Sequence, residues 1–297
     1  MALSTIGRRG GIVTYEKGNA ENYSDSLYLN YVYTRSHIMI HTRWLMTQGA
    51  VIVTGGSKRI GREICLSLSS IGFKILIHHR NSAAEAEETA QLIRSNGGTA
   101  ATFQADLSDA SSASKLVNSA IQNFGKISGI VNNASVFIHD DISSLTPESW
   151  DNHMTVNAKV PILLIREMFN SLEDADRGSV VNILDQKLFN PNPDYLSYTA
   201  SKYVMLGLTD SLSRGLAPKI RINAVAPGHT LVSNSQSKEG FERAQSHSPL
   251  GFGPSPEDIA EAVCYLMKAR AVTGQVIYVD SGERFLSRSR DVVFETE

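Results

Sequence analysis

The stretch Ala50-Val51-Ile52-Val53-Thr54-Gly55-Gly56-Ser57-Lys58-Arg59-Ile60-Gly61 governs how the rest of this 297-residue chain reads. Its first half is apolar at consecutive positions, the pattern of a strand covered on both faces, as in a parallel sheet. Its second half is a glycine-bearing turn, and from Arg62 apolar residues recur at helical spacing, predicting a helix over 62–71. Where a parallel strand passes through such a turn into a helix, the helix N-terminus offers free N–H groups and the positive end of its dipole to a phosphate. Gly55, Ser57, Lys58, Arg59, Ile60 and Gly61 are therefore candidate pyrophosphate contacts. The spacing is TGxxxxxG, with Arg59 where a middle glycine would stand, and an ordinary surface turn also uses glycine.

Outward from this stretch the pattern repeats. Short, mostly apolar segments at 50–54, 74–78, 100–104, 127–131, 179–184, 220–225 and 275–279 read as strands. Amphipathic segments at 62–71, 83–95, 109–124, 147–169, 198–216 and 256–267 read as helices. Doubly covered strands joined by crossover helices predict a single doubly wound, Rossmann-type α/β domain over 46–297, an approximately seven-stranded parallel sheet with helices on both faces. Residues 1–45 carry Tyr15, Tyr23, Tyr28, Tyr31 and Tyr33 without a helical or strand period. They read as an accessory segment, a poorly ordered tail, or residues upstream of a start at Met46. The segment 229–253, rich in Ser, Gly and charge, is expected to form a lid over the substrate, because ligands bind beyond the carboxyl ends of the strands.

Bulk properties narrow the function classes. A net charge of −2 argues against a broad nucleic-acid surface. The 42% apolar and 20% charged fractions are those of a soluble globular protein, and no run is long and apolar enough to span a membrane. Cys65 and Cys264 belong to no CxxC or Cys/His cluster, so no metal site and no disulfide framework are expected. Buried thiols in a reducing cytoplasm fit best.

The second strand ends in His78-His79-Arg80-Asn81-Ser82, with no carboxylate to hold a ribose 2′-hydroxyl. Arg80, with His79 and Ser82, suits a 2′-phosphate, which points to NADP(H); the competing reading is a solvated basic turn. Tyr198 and Lys202 lie four residues apart at the start of a predicted helix, on one face. An ammonium beside a phenol favours phenolate, which is expected to lower the tyrosine pKa toward working pH for acid–base use. A YxxxK pair also occurs on ordinary amphipathic helices.

These elements occur together and in order: Thr54-Gly55 to Gly61, Asp106, Asn132-Asn133-Ala134, Asn157, Tyr198/Lys202 and Pro227-Gly228. In this the chain resembles the short-chain dehydrogenase/reductase family over nearly everything after Met46. The resemblance implies that Asp106, with Leu107, contacts the adenine end, that Asn133, Ala134 and Ser135 line the cofactor, and that Pro227 and Gly228 flank the nicotinamide. It implies a water held by Asn157 in a proton relay with Lys202, and a homo-oligomer, commonly a tetramer. Asp185 stands thirteen residues before Tyr198, where the family usually has serine. This substitution, with the Arg59 turn, the segment Asn132–Phe137 and the turn His78–Ser82, resembles the pteridine reductase branch, which includes the dihydromonapterin reductases.

The chemistry agrees with that branch. Phe137 is placed to stack on a flat pterin, Arg59 and Ser135 to reach its polar edge, and Asp185 to hydrogen-bond an aminopyrimidine and shuttle protons. Burial and neighbouring negative charge are expected to raise the Asp185 pKa. Asp185 as a strand-end cap, Phe137 as a core wall and Ser135 as a turn residue are the plainer readings. The leading expectation is an NADPH-dependent reductase of a dihydropterin, dihydromonapterin or dihydrofolate-like substrate. Its rivals are a reductase of a 3-oxoacyl thioester or small ketone, and a protein that senses NADP(H) without turnover. His229 and His247 are assigned no role.

Overall fold

The computed structural model describes residues 49–232 and 236–296. The expectations for residues 1–45 and for a start at Met46 lie outside them. In chain order the elements are β1 (Ala50–Val53), α1 (Arg59–Ser70), β2 (Lys74–His79), α2 (Ala83–Ser95), β3 (Ala100–Gln104), α3 (Ser112–Phe124) and β4 (Ile127–Asn132). Then follow α4 (Pro147–Met154), a π turn (Thr155–Lys159), α5 (Val160–Ser171), β5 (Gly178–Ile183), a 3₁₀ turn (Gln186–Leu188) and α6 (Leu196–Gly215). Last come β6 (Ile220–Pro227), α7 (Lys238–Ser246), α8 (Pro256–Lys268), β7 (Val276–Val279), a 3₁₀ turn (Glu283–Phe285) and α9 (Val292–Thr296).

The seven strands form one sheet in the order β3-β2-β1-β4-β5-β6-β7, and every pairing is parallel. Successive residues of a strand face opposite sides. Val51 and Val53 pack with Ile64, Leu68, Ala90 and Ile259 of α1, α2 and α8. Ala50 and Ile52 pack with Leu116, Val160 and Leu164 of α3 and α5 on the other side. All four β1 residues are fully buried, so the unbroken apolar run at 50–53 reflects two cores sharing one strand. The apolar face of α5 is consumed in the same way, by Val160, Leu164, Ile165 and Met168.

Three features depart from the sequence reading. The helix predicted over 147–169 is interrupted by the π turn, because Pro161 has no N–H to close an α-helical bond and the chain widens for one turn. The segment 229–253 contains a helix, α7, capped by Ser237, whose hydroxyl accepts from the Gly240 amide. The chain after β7 folds back as a 3₁₀ turn and α9. Their short or polar sequences carry little periodicity.

Connections run outward from β1 to β2 and β3, then cross back to β4. The crevice beyond the strand ends lies at that reversal, where open α/β sheets bind ligands. The crevice is clasped at its base. The Thr54 hydroxyl accepts from the amides of Asn133 (2.9 Å) and Ala134 (3.0 Å), and Asn133 Nδ2 donates to the carbonyls of Thr54 (2.9 Å) and Gly55 (3.1 Å).

Candidate active site

Beyond the carboxyl ends of β1, β4, β5 and β6 opens a cavity of about 790 Å³. Its glycine turn is tightly built. Gly55 has φ +62°, and a Cβ on Gly61 would stand 2.1 Å from the Gly55 carbonyl oxygen, so only glycine lets α1 start this close to the turn. Arg59 takes the left-handed conformation at φ 54°, which glycine would hold without strain. Its guanidinium donates to the Val232 carbonyl at 3.0 Å. Lys58 pairs with Glu85 at 2.6 Å, tying the turn to α2.

His78, which the sequence reading left without a role of its own, braces the turn from below. The Gly55 amide donates to His78 Nδ1 at 3.0 Å, which leaves Nε2 to carry the proton and donate to the Ala105 carbonyl at 3.1 Å. Burial pushes its pKa down to about 4, so the ring stays neutral and keeps this tautomer.

At the far side of the cavity Tyr198, on the first turn of α6, donates its hydroxyl to Asp185 Oδ2 at 2.7 Å. Asp185 Oδ1 accepts from the Lys187 amide at 2.8 Å, capping the 3₁₀ turn while Oδ2 serves the phenol. Lys202 Nζ donates to the Ile183 carbonyl at 2.8 Å and lies 5.5 Å from the Tyr198 ring centre. Burial raises the Asp185 pKa as expected, but by desolvation and against the pull of Lys187 and Lys202. The expectation for the phenol is reversed: burial and the Asp185 carboxyl hold Tyr198 well above the usual tyrosine value. Burial drops Lys202 to about 8, Asp185 opposing. The lysine is too desolvated and the carboxylate too close for the ammonium to dominate.

The cavity wall brings together Gly55, Lys58, Arg59, Ile60 and Gly61 with Arg80, Asp106, Leu107, Asn133, Ala134, Ser135, Phe137, Asp185, Tyr198, Lys202, Pro227 and Gly228. Ser57, His79, Ser82 and Asn157 do not line it. Ser57, within the turn, and His79, at the end of β2, are buried. The Asn157 side chain is committed to protein partners: Nδ2 donates to the Val136 carbonyl and the Ser201 hydroxyl, both at 3.0 Å, and Oδ1 accepts from the Val136 amide at 2.7 Å. Phe137 is 43% exposed, stacked on Tyr195 at 4.1 Å and set edge-on to Tyr198 at 4.7 Å, which is not the environment of a core residue. Gly228 leaves β6 where a Cβ would lie 2.7 Å from the Asp280 Cα.

The sequence reading missed one whole wall. Glu283, Leu286, Arg288, Asp291, Val292 and Val293 bring the C-terminal chain onto the cavity. That tail is held by a buried pair, Lys187 Nζ to Asp291 Oδ2 at 3.0 Å, and by Arg290 clasping Asp194 at 2.8 Å. No sequence periodicity marks it; only its charged residues hint at a docked segment.

A glycine turn at the strand-order reversal, facing a buried tyrosine–carboxyl–lysine cluster, defines an oxidoreductase of the dinucleotide-dependent α/β class. The chain belongs to the short chain dehydrogenase family, whose profile matches residues 49–242. The 3-oxoacyl-[acyl-carrier-protein] reductase FabG of Staphylococcus aureus is 30% identical over 242 residues, covering 80% of this chain and 98% of that protein. Solved structures of FolM alternative dihydrofolate reductase 1 in complex with NADP are more similar. Those from Brucella canis and Brucella suis are each 40% identical with TM-score 0.78, over 82% of this chain and 96% and 98% of theirs.

Proposed function

We propose that this protein is an NADPH-dependent reductase of a pteridine: a dihydropterin, dihydromonapterin or dihydrofolate-like substrate. The observation that carries the reading is the hydrogen bond from Tyr198 to Asp185 at 2.7 Å, a carboxyl where the family usually has serine, beside the open face of Phe137. The 40% identity to the NADP-bound FolM reductases supports it.

The cradle fits a dinucleotide. Added Cβ atoms at Gly55 and Gly61 would strike Ala134, Asn133 and the Gly55 carbonyl, so glycine at both positions lets the turn pack against the chain after β4 and start α1 facing the cavity, as a pyrophosphate cradle requires. Gly55, Lys58, Arg59, Ile60 and Gly61 would hold the pyrophosphate, Arg80 the 2′-phosphate, Asp106 and Leu107 the adenine end, and Pro227 and Gly228 the nicotinamide. Bound NADPH supplies the hydride. Tyr198, kept protonated by burial and by Asp185, supplies the proton to the substrate nitrogen. Asp185, whose pKa burial raises, is placed to take up a proton from solvent in the cavity and return it to the phenol across their hydrogen bond, and Lys202, charged below about 8, offsets the negative charge left on the pair. Phe137 offers one face to a flat ring.

The carbonyl-reductase reading is favoured by the FabG relatives, at 30% identity. NADPH oxidation measured with a dihydropterin and with an acetoacetyl thioester separates the two. We expect turnover of the first and its loss in Asp185→Ser, by about 100-fold or more, with NADPH binding kept. Preference for the thioester, or undiminished pterin turnover by the variant, removes the assignment. A protein that only senses NADP(H) would turn over neither. We further propose a cytoplasmic homotetramer, supported by two free, buried thiols and by the apolar patch considered below.

A further inference from the structure

Asp185 is the carboxyl that an aminopyrimidine would meet first, yet each of its oxygens already accepts a hydrogen bond, from Tyr198 and from the Lys187 amide. A second carboxyl stands on the same cavity wall. Glu283 opens the 3₁₀ turn after β7, is 2% exposed and lines the cavity. Its Oε2 accepts from the His229 amide at 2.8 Å, which fixes the side chain against the chain leaving β6. Its Oε1 is buried and accepts from none of the described residues.

Five residues on, Arg288 reaches the same cavity with a side chain only 12% exposed. Nη1 donates to Glu295 Oε2 at 2.8 Å, while Nε and Nη2 are buried and donate to none of the described residues. Glu283 and Arg288 feel each other's charge but form no ion pair. Buried polar groups are ordinarily hydrogen-bonded, and leaving charged ones unpaired is costly. One cavity wall thus carries an uncommitted acceptor and an uncommitted pair of donors, close enough for their charges to interact.

That pattern complements a 2-amino-4-oxopyrimidine, whose edge presents two N–H donors next to a carbonyl acceptor. Resting on the pteridine reading above, we propose that Glu283 and Arg288 are specificity-determining residues. The Glu283 carboxylate accepts from the 2-amino group through Oε1, and the Arg288 guanidinium donates to the 4-oxo oxygen. Asp185 is thereby left to proton supply. The C-terminal tail, which lies beyond the part of the chain matched by the family profile, becomes the element that selects the substrate. Burial pushes the Glu283 carboxyl up to about 7, with Arg288 opposing. N–H donors from a ligand would stabilise its charged form.

The test uses full-length protein loaded with NADP+ and two probes that differ at one group: pterin (2-amino-4-oxo) and lumazine (2,4-dioxo). Binding is read by quenching of probe fluorescence. In Glu283→Gln, pterin affinity is expected to fall about 10-fold or more, lumazine affinity to change by less than about twofold, and NADP+ affinity to stay constant. In Arg288→Met, both probes should weaken together, since both carry the 4-oxo group. Equal loss of pterin and lumazine in Glu283→Gln, no loss of either, or unchanged binding of both in Arg288→Met overturns the inference. These arms do not depend on turnover. Wild-type protein that fails to reduce any dihydropteridine yet discriminates pterin from lumazine through Glu283 defeats the reductase reading and keeps this one. Reduction of a dihydropteridine with no effect of Glu283→Gln does the reverse.

Discussion

At the scale of single residues, the cluster around Tyr198 is governed by burial more than by pairing. Lys202 carries its proton below about 8 and loses it above, while the Tyr198 proton is held far more tightly. An ammonium that offsets charge during proton donation is therefore present on the acid side and absent on the alkaline side. The pH profile of kcat/KM should fall on an alkaline limb centred near 8. That limb should vanish in Lys202→Arg, whose guanidinium stays charged; a limb unchanged by this substitution assigns it to another group. Gly61 makes a sharper steric demand, since its added Cβ would lie 2.1 Å from a backbone oxygen that has no freedom to rotate away. Gly61→Ala should cost about 1–3 kcal/mol of strain, weakening NADPH binding roughly 5- to 150-fold in a fluorescence titration. Unaltered affinity would mean the turn does not hold the dinucleotide.

Among the elements, the C-terminal tail depends on a contact that burial makes strong in one direction. Lys187 and Asp291 are 6% and 12% exposed at their side chains, so removing one partner leaves the other charge without compensation. Asp291→Ala is expected to release the tail before it unfolds the domain. Substrate KM should rise about 10-fold or more while NADPH affinity is retained, and amide exchange over 284–296 should accelerate. Exchange that stays slow there would show that Arg290 and Asp194 suffice. The π turn has a different role. It turns Asn157 toward Val136 and Ser201, so an irregularity in a helix steadies the segment after β4 that carries Phe137.

For the molecule as a whole, two cores on one parallel sheet account for most of the apolar sequence, and what they leave outside is informative. Phe189 and Phe285 are 58% and 63% exposed, 6.4 Å apart, with Tyr203 and Val204 of α6 also exposed. Contiguous apolar surface of this kind commonly marks an association site. Light scattering after size exclusion should give four copies of the 32.4 kDa chain, and Phe285→Glu should lower that number. A monodisperse monomer in the parent protein would refute the tetramer.

The sequence alone determined the alternation of strands and helices, because doubly buried strands leave an unbroken apolar run and amphipathic helices leave a 3.6-residue period. It also determined the short list of glycines, Asp185, Tyr198 and Lys202, since those residue types suit their chemistry wherever the fold places them. Tertiary structure decided the rest. That burial and Asp185, not Lys202, set the state of the phenol depends on distances of a few ångströms and on how fully each group is desolvated. That His78 rather than His79 supports the glycine turn follows from which face of β2 each occupies. The tail's place on the cavity rests on contacts about a hundred residues apart in sequence, Lys187 to Asp291 foremost, and long-range pairing of buried charge leaves no local pattern to read.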